Sequence, residues 1–192
     1  VTKDYIVTHN TSSLKGLIEL LEDNHLSYIL LAPTAKASSK ITEATNRQAS
    51  TIHLKCLRDK EIYQDVIILD EASMIDLDTF LLLLSCITNP NVKIVMCGDN
   101  AQLLPVGKSC IFNDTINSKI VPTTMLTDIF RYSSNGALFV ATNVRQGMKF
   151  FDREDDLVKI KDNVVTVGKN YKFIQTEEIF DELVKQYINL LK

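Results

Sequence analysis

The sequence has no apolar run near the ~20 residues that a membrane-spanning helix needs. Its longest, Phe80 to Leu84 continued through Cys86 and Ile87, is far shorter, so no membrane segment is expected. Its 4 cysteines, Cys56, Cys86, Cys97 and Cys110, form no C-x-x-C pair and have no histidine at ligand spacing. That argues against a zinc site and against a disulfide framework, and suits a reducing cytosol. Neither sign of charge is in excess: 21 Lys and Arg against 24 Asp and Glu leave a net charge of −3. Bulk electrostatics therefore gives no pull toward nucleic acid, although a local basic groove can coexist with an acidic total. There is no internal repeat and no low-complexity tract. The chain opens at Val1 without methionine, n-region or h-region, so no signal peptide is expected, and residues upstream are expected to be missing.

What is present is an α/β pattern. At 192 residues and 45% hydrophobic content the chain can bury one sizeable core and the start of a second lobe. Near-continuous apolar runs at Tyr28 to Ala32, Val66 to Asp70 and Val92 to Cys97 read as strands buried on both faces. Helical-period segments at Thr11 to Glu22, Ala35 to Asn46 and Asp76 to Ile87 alternate with them, which predicts a parallel sheet flanked by helices. Past Pro122 the pattern changes to a short segment at Leu126 to Arg131, a helix from about Gly136 to Gln146, then a strand or two. A last amphipathic segment runs from Glu177 to Leu191.

Four groups of residues carry chemistry. VIILDEASM delivers Asp70 and Glu71 to the carboxyl end of a buried strand, where ligands bind in open α/β sheets. In a phosphate-hydrolysing site the first acid holds Mg²⁺ and the second orients or deprotonates the attacking water, so Asp70 is read as the metal residue and Glu71 as the water residue. CGDNAQLLPVG places Gln102 a few residues beyond another buried strand, able to bond a phosphate oxygen or the water. LTDIFR ends in Arg131, a guanidinium that could neutralise charge on a γ-phosphate. LLAPTAKASSKI and ASTIH supply Thr34, Ser50, Thr51 and His53 as donors to backbone phosphates, with Lys36, Lys40 and Arg47 adding positive charge. Each group taken singly has a plainer reading: a solvated turn, a polar loop, a surface arginine, helix caps at Thr34 and Ser50, a packing histidine.

In order, APT-x-K-A, ASTIH, LDEASM, GD-x-x-QL-x-PVG and LT-x-x-FR resemble the motif series of superfamily 1 DNA helicases of the RecD and Dda type, which are P-loop ATPases of the AAA kind. The resemblance covers roughly Thr11 to Gly147. It implies two RecA-like lobes, hydrolysis of ATP with Mg²⁺ between them, and 5′ to 3′ translocation on single-stranded DNA. It further implies that Gln102 and Arg131 sense the γ-phosphate and that the Pro33-Thr34 and Thr51-His53 loops touch the strand. Partners in replication, recombination or repair, and a bacterial or phage-infected cytoplasm, follow from the same resemblance. The sequence departs from the pattern at Tyr132, where the family has Gln. It departs also at Leu54 to Asp65, which leaves little room for a strand-splitting hairpin. The motifs expected further downstream are absent.

A P-loop enzyme needs GxxxxGK[ST], and here VTKDYIVTHN precedes the first helix, with no glycine and with Asn10 where the lysine should stand. Only Thr11 fits, at the Mg²⁺-binding position. This segment resembles the carboxyl end of an intein, which ends in His-Asn before Cys, Ser or Thr. Asn10 can cyclise by attack of its side-chain amide on its own carbonyl, His9 can donate a proton, and the Thr11 hydroxyl can accept the acyl chain. Splicing would then join an upstream GxxxxGK to Thr11; a decayed phosphate loop or an accidental match is the alternative. The expected organisation is residues 1-10 as an unanchored intein remnant, 11-125 as the first lobe and 126-192 as the start of the second. Nucleotide contacts are expected at Thr11, Asp70, Gln102 and Arg131. Negligible ATPase is expected without the lysine. A P-loop ATPase that does not act on nucleic acid, and an inactive remnant that binds nucleotide or a partner, are the competing readings.

Overall fold

The computed structural model describes residues 5–8, 11–102, 104–107, 109–125, 135–145, 147–148, 158–161, 164–167 and 171–174. Contacts divide the chain into two units, Val1–Thr127 and Asp128–Lys192. In the first, β1 (Tyr5–Thr8), α1 (Thr11–Asp23), β2 (Tyr28–Ala32), α2 (Ala35–Thr45), β3 (Ala49–Thr51) and α3 (Ile52–Arg58) lead to β4 (Val66–Leu69). A tight 3-10 turn at Ala72–Met74 follows, then α4 (Leu77–Cys86), β5 (Lys93–Gly98), α5 (Ile111–Ser118) and the two-residue β6 (Thr123–Thr124). The six strands form one sheet in the order β3-β2-β4-β5-β1-β6, and every pairing is parallel.

Period-two alternation sorts the strand side chains onto two faces. Val66 and Ile68 of β4, with Val95 and Cys97 of β5, pack against Leu14, Ile18 and Leu21 of α1 and Ala37 and Ile41 of α2. Ile67 and Leu69, with Ile94 and Met96, pack instead against Ile52 and Cys56 of α3, Leu83 and Cys86 of α4, and Phe112 of α5. The result is a three-layer α/β/α sandwich with all four residues of β4 out of solvent, which is why that strand reads as an unbroken apolar run.

Helix ends follow local chemistry. The Thr34 hydroxyl accepts from the Ala37 amide at 3.2 Å and caps α2, whose far end closes on Asn46 at φ 54°. The Asp76 carboxylate accepts from the Thr79 amide at 2.9 Å and caps α4.

Three features differ from the sequence reading. Tyr5–Thr8, expected in an unanchored tail, lies inside the sheet, pairing β5 from Tyr5↔Val95 to Thr8↔Gly98 and β6 at Ile6↔Thr123. An aromatic followed by β-branched residues suits that position. Ala49–Thr51 and Ile52–Arg58 are a strand and a helix, too short at 3 and 7 residues to show a period in sequence. The described part of the second unit holds α6 (Asn135–Arg145) and an antiparallel meander of β7 (Val158–Lys161), β8 (Val164–Val167) and β9 (Tyr171–Ile174). All parallel pairing among the described residues is in the first unit. The segments read at Leu126 to Arg131 and Glu177 to Leu191 lie outside the described residues.

Candidate active site

Parallel strands share one carboxyl edge, so loops far apart in sequence emerge side by side there. Register fixes their order: Ala32 pairs Thr51, Leu31 pairs Leu69, Leu69 pairs Met96 and Thr8 pairs Gly98. Pro33-Thr34, Thr51 to His53, Asp70-Glu71 and the loop from Asp99 therefore leave the same edge of the sheet.

Asp70 is buried at 6% exposure, and its amide donates to the Leu31 carbonyl at 2.9 Å, extending the ladder one residue past β4. Its charge is felt by the neighbouring strand: burial, and then the Asp70 carboxylate, push the Cys97 thiol up to about 12. Glu71 sits in the left-handed region at φ 52°, ψ 37°, a conformation that costs a residue with a Cβ about 1 kcal/mol. That backbone reversal starts the 3-10 turn. Glu71 Oε2 and the Ser73 hydroxyl are buried oxygens with no protein hydrogen-bond partner, and Ser73 is only 2% exposed.

Gln102 is exposed on the next loop, its amide donating to the Asp99 carbonyl at 3.2 Å, while the Asp99 carboxylate accepts from the Ala101 amide at 3.0 Å. At the other end of the edge, Thr51 caps α3 through the Leu54 amide at 3.1 Å, and the Ser50 hydroxyl donates to the Thr51 carbonyl at 3.3 Å. Thr34 does the capping expected of it, whereas the cap expected at Ser50 falls to Thr51, because β3 runs through Ser50 and α3 begins only after Thr51; each threonine retains a hydroxyl proton to donate. Thr34, Lys36, Lys40 and His53 are exposed on that side of the sheet.

Arg47 is not among them. It bridges to Glu22 near the carboxyl end of α1, at the opposite edge, and adds no charge to the loops. His9, Asn10 and Arg131 lie outside the described residues, and of Thr11 only the backbone, at the start of α1, is described. Sequence reasoning also missed that Gly98, Gly107 and Cys110, at and just beyond the ends of the Gln102 loop, lie against Ala72, Ser73 and Asp76 of the stretch after the acid pair. The first two were visible as the glycines bounding GDNAQLLPVG, but nothing in their spacing says what they pack against. Among the described residues no three His, Cys, Asp or Glu side chains cluster as a metal cage, and no helix is long and apolar enough to cross a membrane.

A family model described as an AAA domain matches residues 8–163. The ATP-dependent RecD2 DNA helicase of Deinococcus radiodurans is 28% identical over 145 residues, covering 71% of this chain and 20% of the relative. The ATP-dependent DNA helicase dda of Enterobacteria phage T4 is 31% identical over 169 residues, covering 78% of this chain and 38% of the relative. The chain thus spans well under half of either. Among solved structures, Pif1 from Bacteroides sp in complex with ADP-AlF4 superposes with a TM-score of 0.55 at 21% identity, over 84% of this chain and 46% of that one. Pif1 helicase from Candida albicans gives 0.54 at 22%, over 79% and 42%. These two carry the fold: a RecA-like α/β domain with a parallel sheet between helical layers. With the family model covering most of its length, the chain belongs to the AAA domain family, and over much of that length it is similar to the RecD2 and Dda helicases.

Proposed function

We propose that this chain is part of an ATP-dependent DNA helicase or translocase that moves 5′ to 3′ along single-stranded DNA in the cytoplasm, in the service of replication or repair. The observation that carries the reading is the convergence of four motif loops on one sheet edge, with the buried Asp70 and the half-buried Glu71 at its centre. Asp70 would hold Mg²⁺ together with Thr11, and Glu71 would orient the attacking water. The donor set fits this ion: Mg²⁺ keeps several waters and takes one or two carboxylates plus substrate phosphates, and the buried oxygens Glu71 Oε2 and Ser73 Oγ stand beside Asp70 in sequence. When bound, the ion screens the phosphate charge during hydrolysis. Gln102 and Arg131 would contact the γ-phosphate, and Pro33, Thr34, Ser50, Thr51 and His53 the strand. Bacteroides Pif1 has been crystallised bound to ssDNA, which supports the same class of ligand for these loops.

The phosphate loop is supplied, on this reading, by splicing upstream of Thr11, with His9 and Asn10 as the remnant of an intein end. Residues 1-10 then belong to the intein, 11-125 to the first lobe and 126-192 to the second. The 4 buried free thiols suit a reducing cytosol. The test joins an apolar strand followed by GxxxxGK to Thr11 in place of residues 1-10, so that the new strand takes the position of β1 between β5 and β6, and measures ATP turnover with and without single-stranded DNA. Turnover stimulated by the strand is expected, with binding that weakens steeply with salt. Turnover indifferent to DNA would point instead to a P-loop ATPase with another cargo, and no turnover to a nucleotide- or partner-binding remnant.

A further inference from the structure

The loop that carries Gln102 is seated at both ends on one short stretch, the five residues that follow the acid pair. At its start, a Cβ built on Gly98 would lie 3.0 Å from the Ser73 amide nitrogen, 3.3 Å from that of Ala72 and 3.2 Å from Phe112 Cζ. Only a residue without a side chain lets β5 end this close to the 3-10 turn. At its finish, a Cβ on Gly107 would fall inside the Asp76 side chain, 2.6 Å from its Cβ and 2.9 Å from its Cγ. Just beyond, the Cys110 thiol donates to the Ser73 carbonyl at 3.6 Å. Between these anchors the loop itself is exposed at Ala101, Gln102, Leu104 and Val106.

Asp76 does two things at this place. One carboxylate oxygen accepts the Thr79 amide and caps α4, and the other faces Gly107. Its pKa is held below the usual carboxylate range by the bonds from Thr79 and, more weakly, by the nearby His53 imidazole. His53 opens α3, which packs along α4. Asp76 thus stands where three things meet: the turn after the acids, the end of the Gln102 loop, and the first turn of α3 at His53.

We propose that Asp76 is the positioning residue of the Gln102 loop, seating Gly107 with the carboxylate that also caps α4, so that Gln102 keeps a fixed place relative to Asp70 and Glu71. The catalytic importance of this contact rests on the function proposed above; the contact itself does not. Its geometry explains why one loop end tolerates no side chain although it is exposed to solvent.

Two measurements separate the parts. In the 192-residue chain, amide hydrogen exchange is followed in segments 99–107 and 77–86. Gly107→Ala and Asp76→Ala are expected to raise exchange in 99–107 about tenfold or more. Asp76→Asn, which keeps shape and capping power, is expected to leave both 77–86 and 99–107 protected. In the version with GxxxxGK joined to Thr11, Gly107→Ala is expected to lower kcat for ATP about tenfold or more while the dissociation constant for single-stranded DNA stays within about twofold. Unchanged exchange in 99–107 in both Gly107→Ala and Asp76→Ala overturns the proposal. Faster exchange with full kcat overturns the positioning role and leaves a structural contact. If the joined protein has no ATP turnover at all, the functional reading fails, and the exchange result still decides whether Asp76 holds the loop.

Discussion

Arg47 clasps Glu22 at two points, Nε to Oε1 at 2.7 Å and Nη2 to Oε2 at 3.0 Å, and Tyr28 donates its hydroxyl to the same Oε1 at 2.6 Å. The clasp ties α1 to the turn after α2 and to the first residue of β2, at the edge of the sheet away from the acids. The hydrogen bonds from Arg47, then that from Tyr28, hold the Glu22 carboxyl down at about 2, against an ordinary value of 4.5.

The sign of the pH effect follows. A depressed carboxyl stabilises the fold at pH values above its ordinary value, and that contribution fades as pH falls from about 4.5 through about 2. Urea midpoints measured from pH 6 to pH 2 are expected to fall less steeply for Glu22→Gln than for the parent. The change at pH 7 is expected to be small, because the pair is solvent-exposed and screened. Parallel acid limbs for the two proteins would show that the clasp is not formed in solution.

The sheet was legible in sequence where strands are central, and less so at its margins. Ile67 and Leu69 face one helical layer and Val66 and Ile68 the other, so no polar residue interrupts the run and it declares itself. At the edge, Ala49–Thr51 has three half-buried residues and nothing periodic to read. The acid pair could be found because a buried strand ends in it. What could not be found is how a loop is seated, since Gly98 and Gly107 reveal their partners Ser73 and Asp76 only through contacts distant in sequence. Arg47 shows the opposite failure: a cation near a motif in sequence is spent on a carboxylate at the far edge.

Glu71 at φ 52° carries backbone strain at the place proposed for chemistry. Asn tolerates the left-handed region better than Glu. Glu71→Asn is therefore expected to stabilise the chain by about 0.5–1 kcal/mol, read as a higher urea midpoint at unchanged slope. In the protein with its phosphate loop joined, the same substitution is expected to lower ATP turnover about a hundredfold. A gain in stability with loss of turnover is the signature of strain kept for function, and a loss of stability would show that the Glu71 side chain does structural work.

All four cysteines are buried and unpaired. Burial comes first in raising both the Cys56 and the Cys97 thiols to about 12, aided by the hydrogen bond between Cys56 and Cys86 and by the Asp70 charge beside Cys97. The thiolate is the reactive form, so native protein at pH 8 is expected to react with a thiol-specific disulfide reagent far more slowly than protein in guanidinium. Four equivalents released on unfolding, with little released before, is the expected count. Fast labelling of one thiol in the native state would mean that its layer opens locally.

Thr51 and Thr34 pose a question that stability alone cannot answer, because each hydroxyl accepts a backbone amide at a helix start and each stands on a loop proposed to touch DNA. Replacing either by alanine removes the cap, with an expected cost of about 0.5–2 kcal/mol. Serine keeps both the acceptor and the donor, so Thr51→Ser is expected to preserve stability and strand binding together. Aspartate keeps the cap and adds negative charge, so Thr51→Asp is expected to hold the urea midpoint while weakening single-stranded DNA several-fold at low salt. The weakening should shrink as salt rises, since it is electrostatic. Fluorescence anisotropy with a labelled oligothymidine, set beside the urea midpoint for each variant, separates the two roles. Unaltered affinity for Thr51→Asp at every salt concentration would confine this residue to capping α3 and move the strand to another part of the edge.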